Sequence, residues 1–296
     1  MTELTPAVVA LGMFDGVHLG HRALMARLLE DAERLNAAPC VFTFSNHPLE
    51  VLGGSVKMLS SVRERNKLLR ALGAERVLSV PFTKEMAALG TEQFIDLLME
   101  QWEIRGLIVG YNYTFGDHGK GTSETLVEIG KRRGFSVSVV DPVMFEGAPV
   151  SSTRTREAIE IGDVVLAKNL LVRRYTLSGL VVQNKRIGSR IGFPTANIAA
   201  DPKRVIPADG VYATVAYVGG AVYRAVTNVG TNPTVHGEAL TIETHLIDFD
   251  ADIYGETLTV AFRKRLRGEV VFDSLEALKE QIRLDVLEAS SLKDLG

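Results

Sequence analysis

Two groups of residues in the 296-residue sequence have the types and spacing to act on phosphate. The first is the stretch 12–24, GMFDGVHLGHRAL. Gly12, Gly16 and Gly20 let the backbone come close to a ligand, and a helix opening at the end of the stretch presents unpaired N–H groups to an anion. Together with Phe14 and Asp15 they make a candidate phosphate cradle. His18 ends the loop and His21 opens the helix, so both imidazoles can aim at one point. Two such donors beside a helix N-terminus stabilise charge developing on an α-phosphate during in-line displacement by a second phosphate, and no covalent step is required. An isolated HxxH is otherwise a tight turn with half-buried histidines; the strand, glycines and helix around this one favour the site. Asp15 either orients a histidine or closes the turn.

Further residues fit phosphate handling less specifically. Ser151, Ser152 and Thr153 precede a helix starting near Arg154, which supplies hydroxyl donors and a helix N-terminus, with Arg154 and Arg156 as cationic clamps. The alternative is an ordinary N-cap with surface arginines.

The second group lies in the C-terminal half. In IGFPTANI, Thr195 and Asn197 occupy alternate positions of an extended segment and so share a face. A hydroxyl and an amide oxygen suit Mg²⁺ already bound to ATP phosphates. Ahead of them the basic turn NKRIGSR, with Gly188 and Arg190, can fold over phosphates; a hairpin with a polar bulge is the alternative. Glu243 and His245 share a face of IETHLIDF. A carboxylate flanked by Ile242 inside a barrel mouth would be partly desolvated, which suits a general base toward a primary hydroxyl. A structural ion pair with an arginine such as Arg263 is the other reading.

The elements that must position these groups follow from periodicity. Apolar runs at Val8–Leu11, Cys40–Phe44, Arg76–Val80, Gly106–Val109 and Phe135–Val140 read as buried strands. Helical patterns lie between them, at Arg22–Leu35, Arg63–Leu72 and Thr91–Glu103. The alternation predicts a doubly wound parallel sheet, whose C-terminal edge is where ligands bind. A helix over Thr153–Leu171 precedes a change of rhythm. The period-two stretches that follow, separated by glycine turns, predict an antiparallel barrel or sandwich closed by a helix over Ser274–Glu288. This divides the chain into 1–172 and 173–296.

At these residues a resemblance becomes plain. GMFDGVHLGH resembles the HxGH signature of the nucleotidyltransferase superfamily in the form used by FAD synthetases, and the likeness continues through TFSNHPLEVL, LSSVRERNKLL, GYNYTFGDHGKG and SSTRTREAI. It implies that Asn112 contacts the nucleotide or flavin and that the SSTRTR stretch clamps phosphates. Asp117, in FGDH, is a weaker candidate for the flavin or metal side, and His47, in SNHP, is either a site residue or a neutral loop histidine before Pro48. Ser45 stands where many relatives carry an acidic residue. From about residue 177, GFPTANI, GVYATV, NVGTNPTV, ETHLIDFDADIYG and FRKRLRGEVVFDSLEALKEQIRLD resemble the riboflavin kinase domain. That likeness implies a six-stranded antiparallel barrel, magnesium at Thr195 and Asn197, Glu243 as the base, and Asn232 and Arg283 near the flavin and its phosphate. The lid departs from the family pattern, with Asn184 in place of a glycine and Ser189 in place of an arginine; Asn tolerates the left-handed region, so the turn can survive.

Composition narrows the rest. An apolar fraction of 46% and a charged fraction of 23% are those of an ordinary soluble protein. The net charge of −3, spread without a basic block, offers no footprint for nucleic acid or an anionic membrane. One cysteine excludes internal disulfides and cysteine-cluster metal sites and fits a reducing, cytoplasmic setting. The N-terminus lacks a basic n-region, and no segment reaches a membrane span. The expected protein is a bifunctional enzyme, a monomer or weak homo-oligomer. It would turn riboflavin into FMN and FMN into FAD, with ATP as co-substrate. The competing readings are a chain with one active half, such as the kinase alone, and a non-enzymatic flavin-binding regulator.

Overall fold

A computed structural model describes residues 4–183, 192–234 and 237–293, with the side chains of residues 232–239 left aside. Contacts divide the chain into two compact units, Met1–Ser152 and Thr153–Gly296.

The first unit runs β1 (Pro6–Leu11), α1 (Leu19–Arg34), β2 (Ala38–Phe44), α2 (Pro48–Val51), α3 (Val62–Ala71), β3 (Arg76–Val80), α4 (Lys84–Ala88), α5 (Thr91–Met99), β4 (Glu103–Gly110), α6 (Ser123–Arg133) and β5 (Ser136–Val140), then the short hairpin β6 (Met144–Phe145) and β7 (Ala148–Pro149). The sheet is parallel, in the order β3-β2-β1-β4-β5. Its two faces are read directly from alternation in β1. Ala7, Val9 and Leu11 bury against Phe94, Ile95 and Leu98 of α5 and Leu126 and Ile129 of α6. Val8 and Ala10 bury against Leu24, Met25 and Leu28 of α1 and Leu69 of α3. Strand order reverses between β1 and β4, so the loops leaving those neighbouring strands open at the switch point.

The periodicity predicts that α5 extends to Glu103, but the helix stops at Met99 and Glu103 opens β4. The cause is Trp102, 1% exposed: its N–H and that of Gln101 both bond to the Leu98 carbonyl, closing the helix so that the indole enters the core.

The second unit takes up α7 (Ser152–Glu160) from Thr153 onward and continues with α8 (Val164–Leu171), β8 (Thr176–Val182), β9 (Ala196–Ala200), β10 (Gly210–Val218), β11 (Ala221–Thr234), β12 (Gly237–Leu246), β13 (Thr257–Arg267) and the C-terminal helix Leu275–Ser291. One helix is predicted over Thr153–Leu171, yet two form. Gly162 sits at φ +85°, and Asp163 caps α8 by accepting the Leu166 N–H at 2.9 Å. A Cβ at Gly162 would come within 2.8 Å of Arg265 Cδ and 2.9 Å of the Tyr212 hydroxyl, so the break is made where the chain meets the barrel.

The barrel is closed and antiparallel, in the order β10-β11-β12-β9-β8-β13. Inside it, the hydroxyls of Thr214, Thr227 and Thr244 form a buried chain at 2.8 and 3.1 Å, so these polar groups satisfy one another. Outside, Val211, Ala213 and Val226 pack under Ala289 of the C-terminal helix. That helix starts at Ser274, whose hydroxyl accepts the Ala277 N–H, and it is pinned by Asp285, which takes a forked ion pair from Arg267.

Candidate active sites

The loop between β1 and α1 is folded against its own preferences. Phe14 (φ 52°) and Val17 (φ 46°) adopt the left-handed conformation without being glycine, on either side of Gly16 (φ 79°). For a β-branched valine this is a true outlier, and each such residue costs about 1–3 kcal/mol unless its surroundings impose it. The result is a tight reversal that delivers His18 to the N-cap of α1. There His18 Nδ1 accepts the His21 N–H at 3.4 Å. With Nδ1 as acceptor, the neutral ring carries its proton on Nε2. The two imidazoles stack at 3.6 Å between centroids and 18° between planes. Burial, the neighbouring His18 and the Arg65 guanidinium hold the His21 imidazole well below its ordinary range, so it is neutral at physiological pH. Gly20 leaves room for this stacking, because a Cβ there would press to 3.2 Å on the His18 ring.

The restraints on the loop come from three other segments. Asp15 is 1% exposed and accepts the Leu59 and Ser60 N–H groups at 3.0 to 3.1 Å. The Ser60 hydroxyl donates to Asp15 and accepts the Gly16 N–H at 3.0 Å. The Met13 carbonyl accepts from both Thr43 Oγ1 at 3.1 Å and Arg65 at 3.0 Å, and Ser152 Oγ donates to the Asp15 carbonyl. Phe14 is fully buried and its ring lies 5.2 Å from that of His21. The side chains of Phe14 and Asp15 therefore shape the cradle rather than face a ligand. Gly12 is similarly close-fitting, its Cβ position lying 3.2 Å from the Phe14 ring. Leu59, Ser60 and Arg65 have no signature by themselves; their only sequence signal is the stretch LSSVRERNKLL.

Asn112 is exposed just beyond β4, at the same sheet edge as the loop, since β1 and β4 are neighbours. Ser151 and Ser152 stand at the start of α7, and Thr153, Arg154 and Arg156 follow on its first turns. His47 has a local role: its Nδ1 accepts the Leu49 N–H at 3.2 Å, capping α2. Asp117 is bonded to Lys120, which holds its carboxyl below the usual range.

In the barrel, register gathers the second group. Asn228, Glu243 and Asn197 lie directly opposite one another across β11, β12 and β9. Such residues share a face, with Cβ atoms about 5 Å apart. That face is the outer one, which corrects the expectation of a carboxylate inside a barrel mouth. Thr244, next to Glu243, joins the interior hydroxyl chain with Ile242 and Leu246 buried alongside, so Glu243 and His245 must point outward. Ile242 thus does not flank the carboxylate. Burial still pushes the Glu243 carboxyl above its ordinary range.

Thr195, immediately before β9, borders a cleft of about 360 Å³ whose wall includes Phe249, Asp250, Asp252 and Tyr254. The acidic and aromatic turn between β12 and β13 has no signature by residue type alone, and the cleft borders it. The cleft's volume falls within the range for small-molecule sites. Among the described residues no three or more His, Cys, Asp or Glu side chains gather as a metal cluster. Thr195 and Asn197 offer neutral oxygens with one carboxylate, Glu243, opposite, a hard donor set that fits Mg²⁺ held mainly by nucleotide. Arg283 lies on an exposed face of the C-terminal helix, paired with Glu280 at 3.3 Å. Gly188 and Arg190, with Asn184 and Ser189 of the lid, lie outside the described residues, as does the side chain of Asn232.

Comparison with known proteins finds one family for each part of the chain. The FAD synthetase family matches residues 1–154 and the riboflavin kinase family residues 171–293. The chain is 34% identical to a bifunctional riboflavin kinase/FMN adenylyltransferase of Bacillus subtilis, over 97% of this chain and 92% of the relative. It is 37% identical to one of Escherichia coli, over 95% and 91%. A solved structure from Streptococcus pneumoniae, described as a macrolide-efflux protein, superposes with a TM-score of 0.91 at 33% identity, covering 98% of this chain and 95% of that one. In this chain, no helix among the described residues is long and apolar enough to cross a membrane.

Proposed function

The chain belongs to the family of bifunctional riboflavin kinase/FMN adenylyltransferases, which make FMN from riboflavin and FAD from FMN, and we propose that His18 and His21 serve the second step and Thr195, Asn197 and Glu243 the first. The observation that carries this reading is the stacked imidazole pair of buried His18 and half-buried His21 at a helix N-terminus above the sheet edge, with the row of Asn228, Glu243 and Asn197 on the barrel as the other set.

In adenylylation an FMN phosphate oxygen attacks the α-phosphorus of ATP in line, and pyrophosphate leaves with the electrons of the broken P–O bond. Nε2–H of His18 and the neutral His21 ring donate hydrogen bonds to oxygens on which charge accumulates, as do the first N–H groups of α1. Gly12, Gly16 and Gly20 admit the phosphates close to the backbone. Asn112 fixes the nucleotide or flavin, and Ser151, Ser152, Thr153, Arg154 and Arg156 serve the phosphates. Asp15 and Phe14 hold the loop.

In phosphorylation the riboflavin 5′-hydroxyl attacks the γ-phosphorus of ATP and ADP departs. Glu243 takes the hydroxyl proton, a task for which a raised carboxyl affinity is suited. Thr195 and Asn197 would hold Mg²⁺, which neutralises phosphate charge when bound. ATP occupies the cleft bordered by Thr195, with Phe249 and Tyr254 offering aromatic surface to the base. Gly188 and Arg190 cover the phosphates, and Asn232 and Arg283 contact flavin or its phosphate. By activity the chain divides at 172/173. It works in the cytoplasm, as a monomer or weak homo-oligomer, without nucleic acid or membrane.

The test separates the activities. His18→Ala with His21→Ala abolishes FAD formation from FMN and leaves FMN formation from riboflavin intact, whereas Glu243→Gln lowers phosphorylation by about 10²- to 10⁴-fold and spares adenylylation. Loss of both activities in either variant refutes the assignment.

A further inference from the structure

Arg65 is 0% exposed, an unusual place for a guanidinium, since a buried charge must recover its lost hydration from its neighbours. It does so at the edge of the sheet that carries the histidines. One terminal nitrogen donates to the Met13 carbonyl at 3.0 Å, in the loop leaving β1; the other donates to the Phe44 carbonyl at 2.5 Å, the last residue of β2. The side chain thus ties the ends of two neighbouring parallel strands, just where the chain turns into its left-handed stretch at Phe14, Gly16 and Val17. Its charge faces the buried Asp15 carboxylate, which fastens the same loop to Leu59 and Ser60.

We infer that Arg65 is a positioning residue for adenylyl transfer, holding the strained loop so that His18 and His21 meet the α-phosphate in one fixed geometry. This rests on the assignment of adenylylation to the two histidines. A strained loop relaxes when its restraints go, and a displacement of about 1 Å at a reacting centre costs on the order of 10²-fold in rate. The positive charge has a second effect, because it adds to burial and the neighbouring His18 in lowering the proton affinity of the His21 imidazole. The charged or titratable groups acting on His21 are His18 from the loop and Arg65 from α3, and Arg65 is itself acted on by Asp15. Removing Arg65 raises the proton affinity of His21.

The test uses the full-length protein, with FMN adenylylation measured across pH and riboflavin phosphorylation as the folding control. For Arg65→Met the adenylylation kcat falls about 10- to 100-fold while KM for FMN and ATP stays within about threefold. The acid-side inflection moves to higher pH, and phosphorylation is unchanged. Arg65→Lys keeps the charge but cannot fork to both carbonyls, so its inflection stays parental while kcat falls several-fold. A Met variant with parental kcat, or with its loss confined to KM, overturns the proposal. Should the Met variant fail to fold, a Lys variant with parental kcat overturns it equally. A His21→Ala variant that still adenylylates FMN removes the site assignment and the proposal with it; an inactive His21→Ala beside a fully active Arg65→Met removes the proposal alone.

Discussion

At the scale of single residues, the two sites use opposite consequences of burial. At His21 burial disfavours the cation, leaving a neutral donor beside His18, where two cationic rings stacked at 3.6 Å would repel. At Glu243 burial disfavours the anion, which makes the carboxylate a stronger base. The sign of the pH dependence follows. As the proposed base, Glu243 must be deprotonated to accept the riboflavin proton, so kcat/KM for phosphorylation is expected to fall as pH falls through its raised pKa. The acid limb therefore lies above the ordinary carboxylate range of about 4. A rate profile of phosphorylation settles this: a limb at an unperturbed carboxylate position, or one that persists in Glu243→Gln, assigns the titration to another group. Asp15 illustrates a carboxylate with neither role. Its oxygens are engaged by backbone N–H groups, and substitution there acts on loop shape rather than on proton transfer.

At the scale of elements, a single glycine decides where one predicted helix breaks. Gly162 separates α7 from α8 in a left-handed conformation against Arg265 and Tyr212, whose hydroxyl bonds to the Ala208 carbonyl while Arg265 bonds to that of Asp209. Gly162→Ala combines a φ penalty with a close contact, for a loss of about 1–3 kcal/mol. Denaturant unfolding of the parental and Ala proteins measures it; equal stabilities would mean that the chain repacks there without cost. This break also marks what the sequence makes legible. Strands such as Arg76–Val80 are plain in it because their apolar runs are local, and His18 and His21 are plain because three residues and a helix start suffice to place them. The helix through Thr153–Leu171 misleads because its apolar spacing continues across Gly162, while the reason to break lies in β10 and β13. Arg65 is hidden for the same reason: its partners at Met13 and Phe44 are brought to it by sheet order. Glu243 was located by type, but its face was decided only by the inward hydroxyl chain through Thr244.

At the scale of the whole molecule, the product of one reaction is the substrate of the other, and the question is what keeps FMN with the protein between them. The net charge is −3 and no basic block runs along the sequence. A path that held a phosphate dianion over a distance would need clustered cations, because exposed charges act over only about a Debye length, roughly 8–10 Å at physiological salt. In the proposed sites phosphates are instead met locally, at the cradle of α1 and beside Thr195. With the two sites as proposed, the expected outcome is that FMN leaves the kinase site for solvent and is recaptured from the bulk. With labelled riboflavin, ATP, Mg²⁺ and a large excess of unlabelled FMN, the specific label of the FAD formed is diluted to that of the free FMN pool, and without added FMN a transient of free FMN precedes FAD. FAD whose label stays undiluted would show direct transfer between the sites.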